Sequence, residues 1–97
     1  MKQRVVVTGL AAITALGKDL NTLWDNLMNG RSGVSLVDSF DTSEYPTKIA
    51  ASIRDFHPED YMDKKDARRM DRFVQFAVAA AGLALQDAKL SVREDTD

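Results

Sequence analysis

The chain has 97 residues, of which 44% are hydrophobic and 29% charged, and its formal net charge is −2. This length allows one small domain at most, and the slight acidity argues against a general nucleic-acid binder. The chain has no cysteine, which excludes disulfides and thiolate metal sites. No apolar run approaches the roughly 18 residues that span a bilayer, and the N-terminus lacks a signal-peptide core, so we expect a cytoplasmic protein.

The chain opens with a β-branched run, Val5-Val6-Val7, which is ended by Gly9. Such a run is typical of a buried parallel strand that leads into a tight loop at the edge of an α/β sheet. A helix is predicted to follow over residues 19–28, with an aspartate as its N-cap and Asn29-Gly30 as its stop. Strand, loop and helix together form the first half of a βαβ unit, so the predicted fold class is α/β.

Two short extended segments are predicted next, at residues 34–37 and 48–53, and the stretch between them is polar and rich in turn residues. Pro58, which follows His57, marks the first position of a short helix. One long helix is then predicted over residues 67–89. The charged tail, residues 93–97, is expected to fray.

Within the long helix, residues 73–85 are apolar except for Gln75 and Gly82. A helix that is apolar on every side is usually buried on every side, and the other elements of this chain can cover only one of its sides. Large exposed apolar patches usually mark an interface. We therefore expect the helix to pack against further sequence or another chain; a small domain with an alanine-rich core helix is the alternative.

Catalytic and ligand-binding signatures are sparse in this sequence. Gly9 and Gly17 do not complete the three-glycine fingerprint of dinucleotide-binding loops, which argues against a nucleotide-binding fragment. His57, the single histidine, lies before a proline and has no partners at metal-ligand spacing. No nucleophile elbow or paired carboxylates stand out. The sequence therefore predicts no catalytic residue, no cofactor and no metal in this chain.

A cluster of basic residues lies at the start of the long helix. Lys65, Arg68, Arg69 and Arg72 have i, i+3, i+4, i+7 spacing and would share one face of a continuous helix, with Lys64 at its edge. Like charges at i, i+4 cost a few tenths of a kcal/mol per pair, so a purely structural helix gains nothing from them. Two interpretations stay open: a docking face for an acidic partner or a phosphate, and a solvated helix start with local ion pairs.

Several segments of the chain, taken in order, resemble one known family. They are Val5-Val6-Val7-Thr8-Gly9-Leu10, Asn29-Gly30-Arg31-Ser32-Gly33-Val34, Phe40-Asp41-Thr42-Ser43-Glu44-Tyr45-Pro46-Thr47-Lys48, Asp55-Phe56, and Lys65-Asp66-Ala67-Arg68-Arg69-Met70-Asp71-Arg72-Phe73-Val74-Gln75-Phe76-Ala77. Together they resemble the N-terminal quarter of the β-ketoacyl-acyl-carrier-protein synthase II family, the elongating condensing enzymes of bacterial fatty acid synthesis. That family usually has glycine in place of Ala11 and proline in place of Ala15.

The resemblance implies a thiolase-like fold of layered α and β structure. Residues 1–97 would form an incomplete N-terminal fragment of its first half-domain, with no second domain. It also implies an acyltransferase that condenses an enzyme-bound acyl chain with malonyl-acyl-carrier protein and releases carbon dioxide. The family's nucleophile is a cysteine and this chain has none, so the chain alone is predicted to be inactive.

The resemblance further implies a role for the basic cluster. In the family, residues at the start of this helix contact the acidic recognition helix of acyl carrier protein, and the matching residues here are Lys64, Lys65, Arg68 and Arg69. The implied partners are acyl carrier protein, through the parent enzyme, and either the remainder of the synthase or a second copy that associates through the apolar helix. No nucleic acid or membrane partner is expected. A free-standing, non-catalytic module that binds an acidic protein is the alternative.

Overall fold

The computed structural model describes residues 2–91, and the charged tail at residues 93–97 lies outside the described residues. Helix α1 spans Leu20–Met28, strands β1 and β2 span Ser35–Leu36 and Ile49–Ala50, and helices α2 and α3 span Lys64–Ala67 and Arg72–Asp87. The chain divides into two compact units, one formed by Ala12–Phe56 and the other by the segments on either side of it.

Helix α1 begins and ends at capping residues. The Asp19 carboxylate accepts hydrogen bonds from the Thr22 amide at 2.8 Å and from the Thr22 hydroxyl at 3.0 Å, and these bonds lower the pKa of the Asp19 carboxyl. At the other end, Gly30 has a φ of 66° and its amide donates to the Leu27 carbonyl oxygen at 3.1 Å, while the next amide donates to the Asn26 carbonyl oxygen at 2.9 Å. This pair of bonds is a Schellman end, so the predicted start and stop of the helix are confirmed.

Strands β1 and β2 pair as a short antiparallel ribbon, with Ser35 opposite Ala50 and Leu36 opposite Ile49. Both lie inside the extended segments predicted at residues 34–37 and 48–53, and each has two residues in regular pairing. The predicted positions are confirmed, while the paired region is shorter than predicted.

The Arg54 side chain, four residues after the end of β2, contacts strand β1. Its guanidinium donates to the Ser35 hydroxyl at 3.0 Å and to the Leu36 carbonyl oxygen at 3.2 Å. The same guanidinium forms an ion pair with Asp38, and its hydrogen bond and charge hold the pKa of the Asp38 carboxyl below the usual value. These contacts connect β1 to the segment that follows β2, which supports a ribbon too short to be stable alone.

The opening segment does not form the predicted strand. Residues 2–13 have no strand conformation, and Val5, Val6 and Val7 are 91%, 59% and 80% exposed. A parallel strand is stabilised by neighbouring strands, and among residues 2–91 the only strands pair with each other. The prediction of a buried strand within this chain is therefore wrong, because its apolar pattern needs partner strands that the described residues do not supply.

The end of the opening segment packs against helix α3. The Leu10 amide donates to the Asp87 carboxylate at 3.0 Å. A Cβ atom at Gly9 would lie 2.6 Å from the backbone nitrogen of Ala88 and 2.7 Å from the carbonyl oxygen of Ala84. Glycine is thus required at this position by the close approach of two backbones.

The predicted long helix is present as α3, but it begins at Arg72 rather than at residue 67, and the residues before it form the separate helix α2 and a turn; the predicted start is therefore wrong. Asp71 has extended backbone angles, φ −69° and ψ 162°, and is the N-cap of α3. Helix α3 ends before Lys89, whose φ is 57°. The short helix predicted at Pro58 is confirmed as a single 3₁₀ turn, Pro58–Asp60. None of the helices within residues 2–91 has the length and apolar character needed to cross a membrane.

Helix α3 is covered on one side only. Ala79 is 1% exposed, whereas Phe73 is 71% and Val78 is 39% exposed. In its unit, the buried apolar side chains of the described residues are Ala67 and Ala79. No described residue covers the open side of α3, so its packing against further sequence or a second copy stays a prediction.

Candidate functional site

The four basic residues singled out from the sequence lie on α2 and in the turn that follows it. Lys64 and Lys65 are the first residues of α2, Arg68 is its C-cap and Arg69 follows directly. All four side chains are exposed, and none forms an ion pair with another residue in the range 2–91. We call these four residues the basic turn.

The backbone of the basic turn keeps a helical path. The Arg68 amide donates to the Lys64 carbonyl oxygen at 3.2 Å, and the Arg69 amide donates to the Asp66 carbonyl oxygen at 3.1 Å. At 3.6 residues per turn, the four basic side chains fall within a sector of about 140°. Ala67 lies outside that sector and is only 6% exposed. The turn is therefore anchored on one side and presents its positive charges on the other.

Arg72 does not join the single face predicted from the spacing. It is the first residue of α3, and its guanidinium stacks over the Phe76 ring at 5.1 Å from the ring centroid. The extended backbone at Asp71 separates Arg72 from the basic turn. The prediction of one face with i, i+3, i+4, i+7 spacing is therefore wrong in its last member.

Gln75 connects the basic turn to helix α3. Its side-chain amide donates to the carbonyl oxygens of Ala67 at 3.0 Å and Met70 at 3.5 Å. Carbonyl groups at the end of a helix have no partner within that helix. The Ala67 carbonyl oxygen accepts from the Met70 amide at 3.2 Å, and Gln75 adds a second donor from the next helix. In the sequence, Gln75 is only a polar interruption of an apolar run. The start of a new helix, which brings Gln75 next to the end of α2, is indicated by Asp71, an N-cap residue type near the start of that run.

A separate polar cleft of about 460 Å³ lies within the Ala12–Phe56 unit. Its walls include Lys18 and Arg54, both of which are already paired inside the unit. The Lys18 ammonium donates to the Asp55 carbonyl oxygen and lies 3.8 Å from the Asp55 carboxylate, and Arg54 is paired with Asp38. The cleft thus has no cation that is left without an acidic partner.

His57 lies at the entry to the 3₁₀ turn, where its carbonyl oxygen accepts a hydrogen bond from the Asp60 amide at 3.0 Å. In the part of the chain that the structure describes, no three histidine, cysteine or acidic side chains are grouped so that they could hold a metal ion. His57 is therefore part of a turn, as its position before Pro58 indicates.

Several known proteins are similar to this chain. The model of the family described as "Beta-ketoacyl synthase, N-terminal domain" matches residues 2–97. The 3-oxoacyl-[acyl-carrier-protein] synthase 2 of Staphylococcus aureus (strain COL) is 43% identical over 94 residues, and the protein of that name from Synechocystis sp. (strain ATCC 27184 / PCC 6803 / Kazusa) is 45% identical over 93 residues. These matches cover 97% and 96% of this chain and 23% and 22% of the relatives. The chain thus spans less than a quarter of their length.

A solved structure shares the fold. The ishigamide ketosynthase/chain length factor superposes with a TM-score of 0.76 at 34% sequence identity, over 89% of this chain and 21% of that chain. This likeness confirms the fold class predicted from the sequence, an incomplete α/β fold of the thiolase-like kind.

Proposed function

The chain belongs to the β-ketoacyl synthase family and is similar to the N-terminal part of 3-oxoacyl-acyl-carrier-protein synthases, and on that premise we propose its function. It is the N-terminal part of a cytoplasmic enzyme that elongates fatty acids by condensing an enzyme-bound acyl chain with malonyl-acyl-carrier protein. Within that enzyme, residues 1–97 form part of the scaffold and contribute the basic turn as a docking surface for acyl carrier protein. The catalytic residues belong to other parts of the enzyme.

The observation that carries this proposal is the display of four exposed cations on one side of an anchored turn. Positive charges at the rim of an interface increase the association rate and orient the partner more than they add affinity. This behaviour suits a carrier protein that must dock and leave in every cycle. Arg68 and Arg69 can each bind a carboxylate through two parallel hydrogen bonds, whereas Lys64 and Lys65 act as point charges.

The open side of α3 is the proposed contact with the remainder of the synthase. Phe73 is 71% exposed at one edge of this side. At the opposite edge, about 180° further round the helix, a Cβ atom at Gly82 would have no atom within 4 Å. Glycine in a helix interior costs about 1 kcal/mol relative to alanine, and that cost is explained if another element packs closely on this side. Association of two copies through the same side is the alternative.

A second candidate function rests on the same basic turn. A non-catalytic module that binds an acidic protein would use these four cations in the same way. The two functions differ in their consequence for catalysis: only a docking surface within a synthase changes the kinetics of condensation.

The test is charge reversal at Arg68 and Arg69 in the intact synthase. Arg68→Glu combined with Arg69→Glu is expected to raise the KM for carrier-bound substrate roughly tenfold, which corresponds to a loss of about 1.4 kcal/mol. Acylation by a small carrier-free thioester should be nearly unchanged, because that substrate does not contact the docking surface. The defect should shrink as salt rises, since screening already weakens the native attraction.

The matched control is Arg4→Glu combined with Arg31→Glu, which changes the net charge equally at two exposed arginines outside the basic turn. This control should leave the KM for carrier-bound substrate near the wild-type value. Equal losses with both kinds of substrate in the Arg68 and Arg69 variant would show that the pair acts through folding. An unchanged KM would remove the basic turn from carrier recognition.

A further inference from the structure

Helix α2 has only four residues, Lys64–Ala67. A helix this short is not stable by itself, so its direction depends on contacts with the rest of its unit. These contacts include the packing of α2 against the 3₁₀ turn at Pro58–Asp60, the burial of Ala67, which is 6% exposed, and the hydrogen bonds from Gln75. Of these contacts, the hydrogen bonds from Gln75 join the basic turn directly to α3.

The bonds from Gln75 span the break between the two helices. Its side-chain nitrogen lies 3.0 Å from the Ala67 carbonyl oxygen, eight residues earlier, and 3.5 Å from the Met70 carbonyl oxygen. Its backbone amide donates to the Asp71 carbonyl oxygen at 3.0 Å, within the first turn of α3. Gln75 is half-buried. Without its side chain, the Ala67 carbonyl oxygen keeps the Met70 amide as a donor at 3.2 Å but loses the bond that ties it to α3.

From these contacts we propose that Gln75 is a positioning residue for carrier docking, which rests on the docking function proposed above. Gln75 touches neither the carrier nor the acyl chain. It fixes the basic turn so that Arg68 and Arg69 meet carboxylates in the geometry that two parallel hydrogen bonds require. Without the hydrogen bonds from Gln75, the four cations remain, but the turn that carries them is no longer held in one orientation.

This role has a kinetic signature that differs from the loss of a charge. Long-range attraction depends on how many charges are present, and all four cations stay when Gln75 is replaced. The KM for carrier-bound substrate should therefore rise while its dependence on salt concentration keeps the wild-type slope. Reversal of Arg68 and Arg69 raises the same KM and reduces that slope.

The experiment replaces Gln75 in the intact synthase. Gln75→Met keeps the length of the side chain and removes both donors. Gln75→Glu keeps the shape and removes them too, but it adds a negative charge near the basic turn, so the salt slope is compared in Gln75→Met alone. Each variant should raise the KM for carrier-bound substrate roughly two- to tenfold, with kcat and the reaction of a carrier-free thioester unchanged. Hydrogen exchange at the amides of Arg69 and Met70 should become faster in the same variants.

The control is Gln86→Met, at the exposed glutamine near the other end of α3, which should alter none of these values. Faster exchange with an unchanged KM, while reversal of Arg68 and Arg69 raises it, would overturn the positioning role and leave docking intact. Unchanged exchange in the Gln75 variants would show that these bonds do not hold the turn. If reversal of Arg68 and Arg69 has no effect, the docking function fails and the role of Gln75 fails with it.

Discussion

Gly9 and Gly33 are glycines because of what lies next to them. A Cβ atom at Gly9 would come within 2.6 Å of the Ala88 backbone nitrogen, and one at Gly33 would come within 2.8 Å of the Ala15 side chain. Neither residue has a positive φ; among the described glycines, Gly30 has one. Gly9 and Gly33 are therefore glycines because their neighbours pack too closely for a Cβ atom. Gly30 is a glycine because the end of α1 requires a positive φ.

Replacement of Gly9 tests the closest of these contacts. In the intact synthase, Gly9→Ala should lower the free energy of unfolding by roughly 1–3 kcal/mol, because its Cβ would meet two backbone atoms and the Ala88 Cβ, none of which can move aside. Thermal unfolding measures the effect as a lower Tm. The control is Thr8→Ala at the exposed neighbouring position, which should be close to neutral. A Gly9→Ala enzyme as stable as the wild type would contradict this close approach of the opening segment and α3.

At the scale of elements, the sequence predicted those whose ends are determined locally. Helix α1 was predicted at both ends because its signals, Asp19 and Gly30, act within a few residues of the helix they close. The opening strand was wrong because it depends on partner strands distant in the sequence, and the start of the long helix was wrong because the break before α3, which the N-cap residue type of Asp71 indicates, was not taken into account. The valine run needs partner strands, and the break before α3 is supported by Gln75, whose partner Ala67 lies eight residues earlier.

The open side of α3 gives an element-scale prediction. Gly82→Ala would favour the helix by about 1 kcal/mol if the position faced only solvent. If the remainder of the synthase packs closely there, the added methyl group should instead lower the Tm of the intact enzyme by several degrees, through overpacking. A higher Tm for Gly82→Ala would contradict close packing on this side of α3.

At the scale of the whole molecule, both units present apolar surface that their own residues do not cover. Trp24 and Met28 on α1 are 62% and 68% exposed, and Phe73 on α3 is 71% exposed. The chain spans 23% of the length of its Staphylococcus aureus relative, which agrees with the proposal that these surfaces meet other parts of a larger enzyme. The sequence predicted that Lys64, Lys65, Arg68 and Arg69 lie close together on helical backbone, because this depends only on their local spacing. Their anchoring through Gln75 could not be predicted without the helix break.

The most direct test of the docking account is the affinity of the intact synthase for acyl carrier protein, measured as a Kd at increasing salt concentrations. For the wild type, the affinity should fall as the ionic strength rises, because the cations of the basic turn attract acidic side chains of the carrier. The Arg68→Glu and Arg69→Glu enzyme should bind more weakly at low salt, and its Kd should depend much less on salt. The same Kd and the same salt dependence in both enzymes would contradict the claim that the basic turn is the docking surface.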